Sequence, residues 1–228
     1  GEYSAVLRME NPVQKYSANI DSYYEFTSLL TAVAQTLGEG YAIHKQDVFV
    51  RKQFEDVTGD RHEFLSSAYF RYFKGRMYTD SVCYLTITQE SKKSSLFSFD
   101  GKKWRDFLVK IRKVHDQLHD AGIQAEFLDK PQANAFVDRY FAMNFKDRIV
   151  SMTNFKVDDE TVSMGGKRCK VYSLVDVDCA ALPSLVRPYT NIEVNNAEMP
   201  VDLLSVIDSI PEAETVIYNQ IIFLPNQK

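Results

Sequence analysis

The chain has 228 residues, of which 45% are hydrophobic and 25% are charged, a composition typical of a folded globular protein with a sizeable core. Its formal net charge of -4 argues against a general nucleic-acid binder, which usually carries a basic excess. No apolar run approaches the roughly 18 residues of a membrane span, so we expect no transmembrane segment. The cysteines Cys83, Cys169 and Cys179 are odd in number and lack C-x-x-C spacing, which indicates a reducing compartment without a disulfide framework.

Both ends of the chain look like chosen boundaries. The chain begins at Gly1 without a methionine, passes directly into strand-like sequence, and ends shortly after Pro225. We therefore expect a fragment of a longer protein.

The first part of the chain alternates strand and helix patterns. Period-2 alternation predicts strands, and apolar residues at helical spacing predict helices that end at glycines. Strands are predicted over 3–9, 41–54, 82–88 and 123–128. The first helix runs from a capping box at Ser22 to Gly38, and the second ends at Gly75. The third runs from Trp104 to Gly122, and the fourth begins after Asp129 with Pro131 in its first turn. The second helix carries Phe64, Leu65, Ala68, Tyr69, Tyr72 and Phe73 on one face. The fourth is expected to point Ala133, Phe136, Val137 and Tyr140 inward.

After about residue 150 the pattern changes to short strands and turns. Segments 157–164 and 167–175 flank Gly165-Gly166 and predict a hairpin with a tight primed turn. A short helix over 201–207 and a final strand over 215–224 follow. This order predicts an α+β fold, with an alternating strand-helix subdomain and a mixed sheet over residues 1–150, and a hairpin-rich subdomain over 151–228 packed on it.

The strand over 41–54 carries four consecutive polar residues, His44, Lys45, Gln46 and Asp47, which include a potential acid-base set. On a strand, however, successive side chains point to opposite faces, so His44 and Gln46 share one face and Lys45 and Asp47 the other. An acid-base pair must reach one substrate atom. We therefore interpret these residues as structural.

Two histidines on the long helix, His115 and His119, are spaced i and i+4, as in zinc sites of the H-E-x-x-H type. Asp116 replaces the glutamate that acts as base in that pattern, and the sequence identifies no third ligand. A metal-dependent hydrolase built on this pair is kept as an alternative, against partial burial of His115 beside the apolar stripe.

The first half of the same helix is basic. Contacts with phosphates need positive charges on one face, so a DNA-contacting or anionic-lipid-contacting module is a second alternative to a solvated helix face. The candidate contact residues are Lys102, Lys103, Arg105, Lys110, Arg112 and Lys113.

Gly165-Gly166-Lys167 superficially resembles a phosphate-binding loop. A P-loop requires G-x-x-x-x-G-K-[ST] between a strand and a helix, whereas here Thr161 takes the first glycine position and Arg168 follows the lysine. We predict no catalytic, cofactor-binding or metal-binding residue in this chain and no enzymatic activity of its own.

Four segments carry a family resemblance: YAIHKQDVF at 41–49, VCYL at 82–85, RYF at 139–141 followed by Phe145 and Asp147, and IYNQ at 217–220. In this order and separation they resemble the N-terminal region of the TraG family of conjugative-transposon proteins from Bacteroidetes. The resemblance spans most of the chain.

The resemblance implies that the full-length protein is a conjugation ATPase of the type IV secretion class, which supports pilus assembly and DNA transfer. In such proteins ATP and Mg bind a C-terminal P-loop domain, so no catalytic or cofactor residue carries over to this chain. What the resemblance implies here is a non-catalytic interaction and assembly domain. It would lie in the cytoplasm, peripheral at the inner face of the cytoplasmic membrane, and contact membrane subunits of the secretion channel and other copies of the ATPase.

Overall fold

The computed structural model describes residues 3–12, 20–55, 64–89, 100–146, 156–164, 166–172, 190–194, 197–199 and 213–224. The helices within this part of the chain are α1 (Ile20–Leu37), α2 (Phe64–Phe73), α3 (Gly101–Asp120) and α4 (Lys130–Phe141). The strands are β1 (Tyr3–Met9), β2 (Tyr41–Gln53), β3 (Met77–Gln89), β4 (Ala125–Phe127), β5 (Lys156–Val157), β6 (Val162–Met164), β7 (Lys167–Cys169), β8 (Thr190–Val194), β9 (Ala197–Met199) and β10 (Thr215–Leu224).

The main sheet has five strands in the order β10-β2-β3-β1-β4. The crossovers through α1 and α3 each skip one strand, so β1 to β4 adopt the split βαβ arrangement of ferredoxin-like folds. Helix α2 is inserted between β2 and β3, and β10 extends the sheet beside β2. The predicted α+β class is confirmed. Each of the four pairings in this sheet is antiparallel, because the skipped strand separates strands that run in the same direction.

One face of the sheet is covered by α1 and α3 and holds the larger apolar core. The apolar stripe predicted for α3 is confirmed, since Phe107, Ile111, Val114 and Leu118 are buried. The ring of Phe107 stacks on Tyr41 of β2, with 6.4 Å between the ring centroids. This core fixes α3 against the centre of the sheet.

The opposite face is covered in part by α4. Phe136 of α4 lies 4.3 Å from Tyr84 of β3, measured between ring centroids, and Val48 and Val50 of β2 belong to the same cluster. Of the residues predicted to point inward, Val137 is exposed, because α4 contacts the sheet along a narrow line around Phe136.

Capping interactions set two of the helix starts. Asp129 caps α4 through a capping box with Gln132, and Pro131 lies in the first turn, as predicted. Helix α3 begins at Gly101, before the predicted start at Trp104, because Asp100 accepts hydrogen bonds from the backbone N–H groups of Lys102 and Lys103 at 3.0 and 3.2 Å. These bonds lower the pKa of the Asp100 carboxyl group, and the bond from Lys103 has the larger effect.

Helix α1 already includes Ile20, so Ser22 lies inside its first turn instead of serving as the predicted N-cap. The helix ends at the predicted place, and Gly38 has a φ of 69°, a conformation that glycine adopts without steric cost.

The second part of the chain contains a three-stranded sheet, β5-β6-β7. The predicted hairpin is confirmed for β6 and β7, and Gly166 in its turn has a φ of 75°. The predicted strand over 157–164 is interrupted, because the carboxylate of Asp158 accepts hydrogen bonds from the N–H groups of Glu160 and Thr161 at 3.1 and 2.6 Å and so forms a turn.

Two further features concern the end of the chain. Strands β8 and β9 form a separate two-stranded sheet that the sequence pattern does not predict, and the helix predicted over 201–207 lies outside the described residues. The final strand is confirmed as β10. It pairs with β2 along its whole length, so this strand joins the main sheet from beyond the predicted boundary at residue 150.

Candidate functional site

The four segments that resemble the TraG family meet around β2. Asp47 of β2 is paired in register with Cys83 of β3 on one side and with Tyr218 of β10 on the other. Tyr140 and Phe145 belong to the cluster that packs against the same two central strands. Segments far apart in the chain therefore form one continuous part of the fold.

His44 and Gln46 lie on the same face of β2, as predicted, and both contact β10. Their Nε2 atoms lie 3.0 and 3.1 Å from Oδ1 of Asn219, to which the amide of Gln46 donates a hydrogen bond. These contacts tie the last strand to β2 through side chains as well as through the backbone.

Lys45 and Asp47 lie on the other face, also as predicted, and form an ion pair between Nζ and Oδ2. The two side chains are only 12% and 6% exposed. Adjacent Cys83 is fully buried. Burial raises the pKa of its thiol, and Asp47 acts in the same direction while Lys45 opposes it. A protonated thiol is not the nucleophilic form, so the arrangement favours a structural role for this trio.

The two histidines of α3 have different surroundings. His115 lies 3.0 Å from the carbonyl oxygen of Ala125 through Nε2, and its ring stacks on Phe127 with 5.0 Å between centroids. His119 is exposed in the last turn. Among the described residues, no group of three His, Cys, Asp or Glu side chains is placed to hold a metal ion.

The six basic residues of α3 do not form one equivalent set. Lys110 donates a hydrogen bond to the carbonyl oxygen of Leu37 at the end of α1 and lies 4.7 Å from the centre of the Tyr41 ring. It therefore joins α3 to α1. The exposed members of the set are Lys102, Lys103, Arg105, Arg112 and Lys113.

Helix α2 exposes much of the apolar and aromatic face that the sequence pattern predicts. Tyr69 and Tyr72 are 56% and 59% exposed, and Leu65 and Ala68 are exposed as well. The predicted apolar face of this helix is therefore largely exposed. The reason lies in its position: α2 connects the paired ends of β2 and β3, Gln53 and Met77, and so lies beyond the end of the sheet.

The aromatic side chains of α2 nevertheless form an ordered surface. Tyr69 and Phe73 lie 4.6 Å apart between ring centroids, and the guanidinium carbon of Arg76 lies 3.7 Å from the centre of the Tyr72 ring. Phe54 stacks on Phe70 at 5.8 Å. We call the exposed part of this group, Leu65, Tyr69, Tyr72 and Arg76, the α2 surface.

A second exposed apolar region lies along β10. Tyr218, Ile221, Ile222 and Phe223 are all exposed. An apolar cleft lies beside this strand, between α1 and the sheet, and is lined among others by Val33 and Ile222.

Sequence reasoning did not identify either exposed region. For β10 a signal was present, because Thr215–Leu224 contains no charged residue and carries apolar residues on both faces of the strand. For α2 the pattern of an exposed aromatic helix is the same as that of a buried one, and only the placement of the helix distinguishes them.

Comparison with protein-family models and with curated proteins finds no match for this chain. None of the helices in the described part of the chain has both the length and the apolar content that crossing a membrane requires.

Proposed function

We propose that this chain is a non-catalytic interaction and assembly domain of a conjugation ATPase of the type IV secretion class. In this role it supports DNA transfer and pilus assembly through contacts with membrane subunits of the secretion channel and with other copies of the ATPase, at the inner face of the cytoplasmic membrane. The proposal combines the four-segment resemblance with the contiguity of those segments around β2.

The observation that carries the interaction role is the α2 surface. Exposed apolar patches rimmed by polar groups mark interaction sites, and tyrosine and arginine are the residues enriched at the centres of protein interfaces. Tyr69, Tyr72 and Arg76 provide both types on one helix and its C-terminal turn. Tyr69 packs against Phe73, and Arg76 lies over Tyr72. These contacts hold the two tyrosine rings in place, which lowers the entropy that a partner must remove on binding.

The double substitution Tyr69→Ala/Tyr72→Ala in the full-length parent protein is expected to reduce DNA transfer by about tenfold or more, as loss of two interface anchors does. The measurement is the frequency of transfer between donor and recipient cells. Tyr24→Ala is the matched control, because Tyr24 of α1 is 62% exposed but lies outside the α2 surface.

Thermal unfolding of the 228-residue chain with and without the double substitution separates loss of a partner from loss of the fold. Normal transfer by a folded double variant, or an equal loss of transfer with Tyr24→Ala, would count against the α2 surface as the carrier of this role.

A second candidate role is contact with an anionic partner, DNA or an anionic lipid surface, through α3. It is favoured by the spacing of four exposed basic residues, which places them within about a third of the helix circumference. Asp116 and Asp120 share that side and are exposed, so the surface is basic towards the start of the helix and mixed towards its end. The four basic residues are Lys102, Arg105, Arg112 and Lys113.

Charge reversal at Arg112 and Lys113 is expected to weaken binding of the chain to DNA or to anionic vesicles. The slope of log affinity against log salt concentration is expected to fall by the amount that corresponds to roughly two phosphate contacts. Binding is measured as a titration at several salt concentrations. Lys130→Glu is the control, because Lys130 is exposed but belongs to α4. Absence of binding by the native chain at low salt removes this candidate.

A further inference from the structure

The free edge of β10 has backbone groups ready for pairing. β10 is the terminal strand in the sheet order, and no strand in the described part of the chain pairs with its other side. The N–H of Arg51 donates to the carbonyl of Glu214 at 2.9 Å. The backbone N–H and C=O groups of the even-numbered residues in this segment therefore point towards β2. Because the direction alternates along an antiparallel strand, the odd-numbered residues from Ile217 to Phe223 direct their N–H and C=O groups outward.

The edge also lacks the features that usually prevent pairing. Natural edge strands carry charged residues, proline or a bulge. Thr215–Leu224 has ten residues with no charge and no proline, and its register with β2 is continuous. Phe223 is 65% exposed. Pairing would therefore cover apolar surface at the same time as it satisfies the backbone.

We propose that β10 pairs with β10 of a second copy of this chain, antiparallel and about a two-fold axis at Gln220. This inference rests on the proposed assembly role for its biological meaning, and it names the partner as another copy of the same chain. A two-fold contact uses one surface twice. An uncharged strand suits this, because no like charges are brought together.

The direction of the backbone groups restricts the register. Outward-directed residues must face outward-directed residues of the second copy. The two-fold axis must therefore pass beside one residue, which then faces its own copy, and not between two neighbouring residues. Axes at Asn219 and at Gln220 give the same overlap within Thr215–Leu224, but an axis at Asn219 would place Tyr218 opposite Gln220.

The cross-strand pairs favour the axis at Gln220. With this axis both aromatic residues of the strand face isoleucines, and aromatic residues opposite β-branched ones are a favourable type of cross-strand pair. The facing pairs are Val216 with Leu224, Ile217 with Phe223, Tyr218 with Ile222, and Asn219 with Ile221.

The first test is the mass of the chain as a function of concentration. Sedimentation equilibrium is expected to show a rise from the 26.2 kDa of one chain to twice that mass at micromolar concentrations. Ile221→Pro is expected to abolish the rise without unfolding the chain, because the N–H that proline removes points away from β2. Ile221→Val keeps this N–H and should associate like the native chain. Phe223→Lys, which places a charge on the edge, is a second disrupting variant.

The second test fixes the register. An axis at Gln220 places the two Cα atoms of residue 220 about 4.5 Å apart, within the range of a disulfide. Gln220→Cys should therefore form a covalent dimer under mild oxidation, with Cys169 and Cys179 replaced by serine. Tyr218→Cys is the matched control, because the two cysteines at position 218 would be offset by about 13 Å along the strands, too far for a disulfide.

A chain that stays at 26.2 kDa at all concentrations overturns the proposal. So does a dimer that persists in folded Ile221→Pro, or equal cross-linking of Gln220→Cys and Tyr218→Cys. These measurements need neither a channel nor DNA, so their failure is distinct from failure of the proposed function, which transfer frequency tests.

Discussion

Replacement of Asp47 by valine is expected to lower the free energy of unfolding by about 3–5 kcal/mol, the usual cost of removing one partner from a buried ion pair. The ion pair with Lys45 lies on the face of β2 that α1 and α3 cover, and both side chains are almost fully buried. The substitution leaves the ammonium group of Lys45 beside Ile43 and Leu85, which line the same cleft. An unpaired charge in such surroundings is strongly unfavourable.

Chemical denaturation of the native chain and of Asp47→Val, Lys45→Met and the double variant measures this effect as a double-mutant cycle. The double variant is expected to be much closer to the native chain than Asp47→Val, because replacement of both charges removes the desolvation cost as well as the attraction. A loss below about 1 kcal/mol for Asp47→Val would indicate that Lys45 reaches water and that the pair contributes little.

Replacement of Phe107 by alanine is expected to cost about 3–5 kcal/mol, as is typical of a buried phenylalanine. Phe107 is 1% exposed and contacts the rings of Tyr3, Tyr41 and Trp104. These rings come from β1, β2 and α3, so the cavity would open where three elements meet and where no single side chain can fill it.

Val109→Ala is the matched control, since Val109 lies on the exposed side of the same helix and its replacement should change stability by about 0.5 kcal/mol or less. The free energies of unfolding come from the same denaturation experiment. Similar losses for both variants would contradict a special role for Phe107 in packing against the sheet, because alanine has a higher helix propensity than phenylalanine or valine and cannot itself cause a loss.

The sequence predicted the elements whose local signals agree with their environment. Alternation located β1 at its observed bounds, the final strand was predicted at the observed bounds of β10, and the apolar stripe from Phe107 to Leu118 identified the buried face of α3. Asp129 with Pro131 identified the start of α4. At these positions the chain's own pattern and the packing favour the same structure.

What the sequence pattern missed depended on the placement of elements in the fold or on side-chain hydrogen bonds. The pattern placed Leu65, Tyr69 and Tyr72 on one face of α2 but did not indicate that this face is exposed. The interruption by Asp158 in the predicted strand over 157–164 depends on hydrogen bonds within a turn. Lys110 was assigned to a solvent-facing basic surface, but it contacts Leu37 and Tyr41.

For the polar residues of β2, the sequence by itself determined the division between two faces, because side chains of a strand alternate. It thereby placed Lys45 with Asp47 and His44 with Gln46. Only the tertiary structure decided their partners, since the pairing with Cys83 and Asn219 joins segments that are distant in the chain. It also decided which apolar residues are exposed, because burial depends on the neighbours that the fold supplies, and α2 and the edge of β10 have few among the described residues.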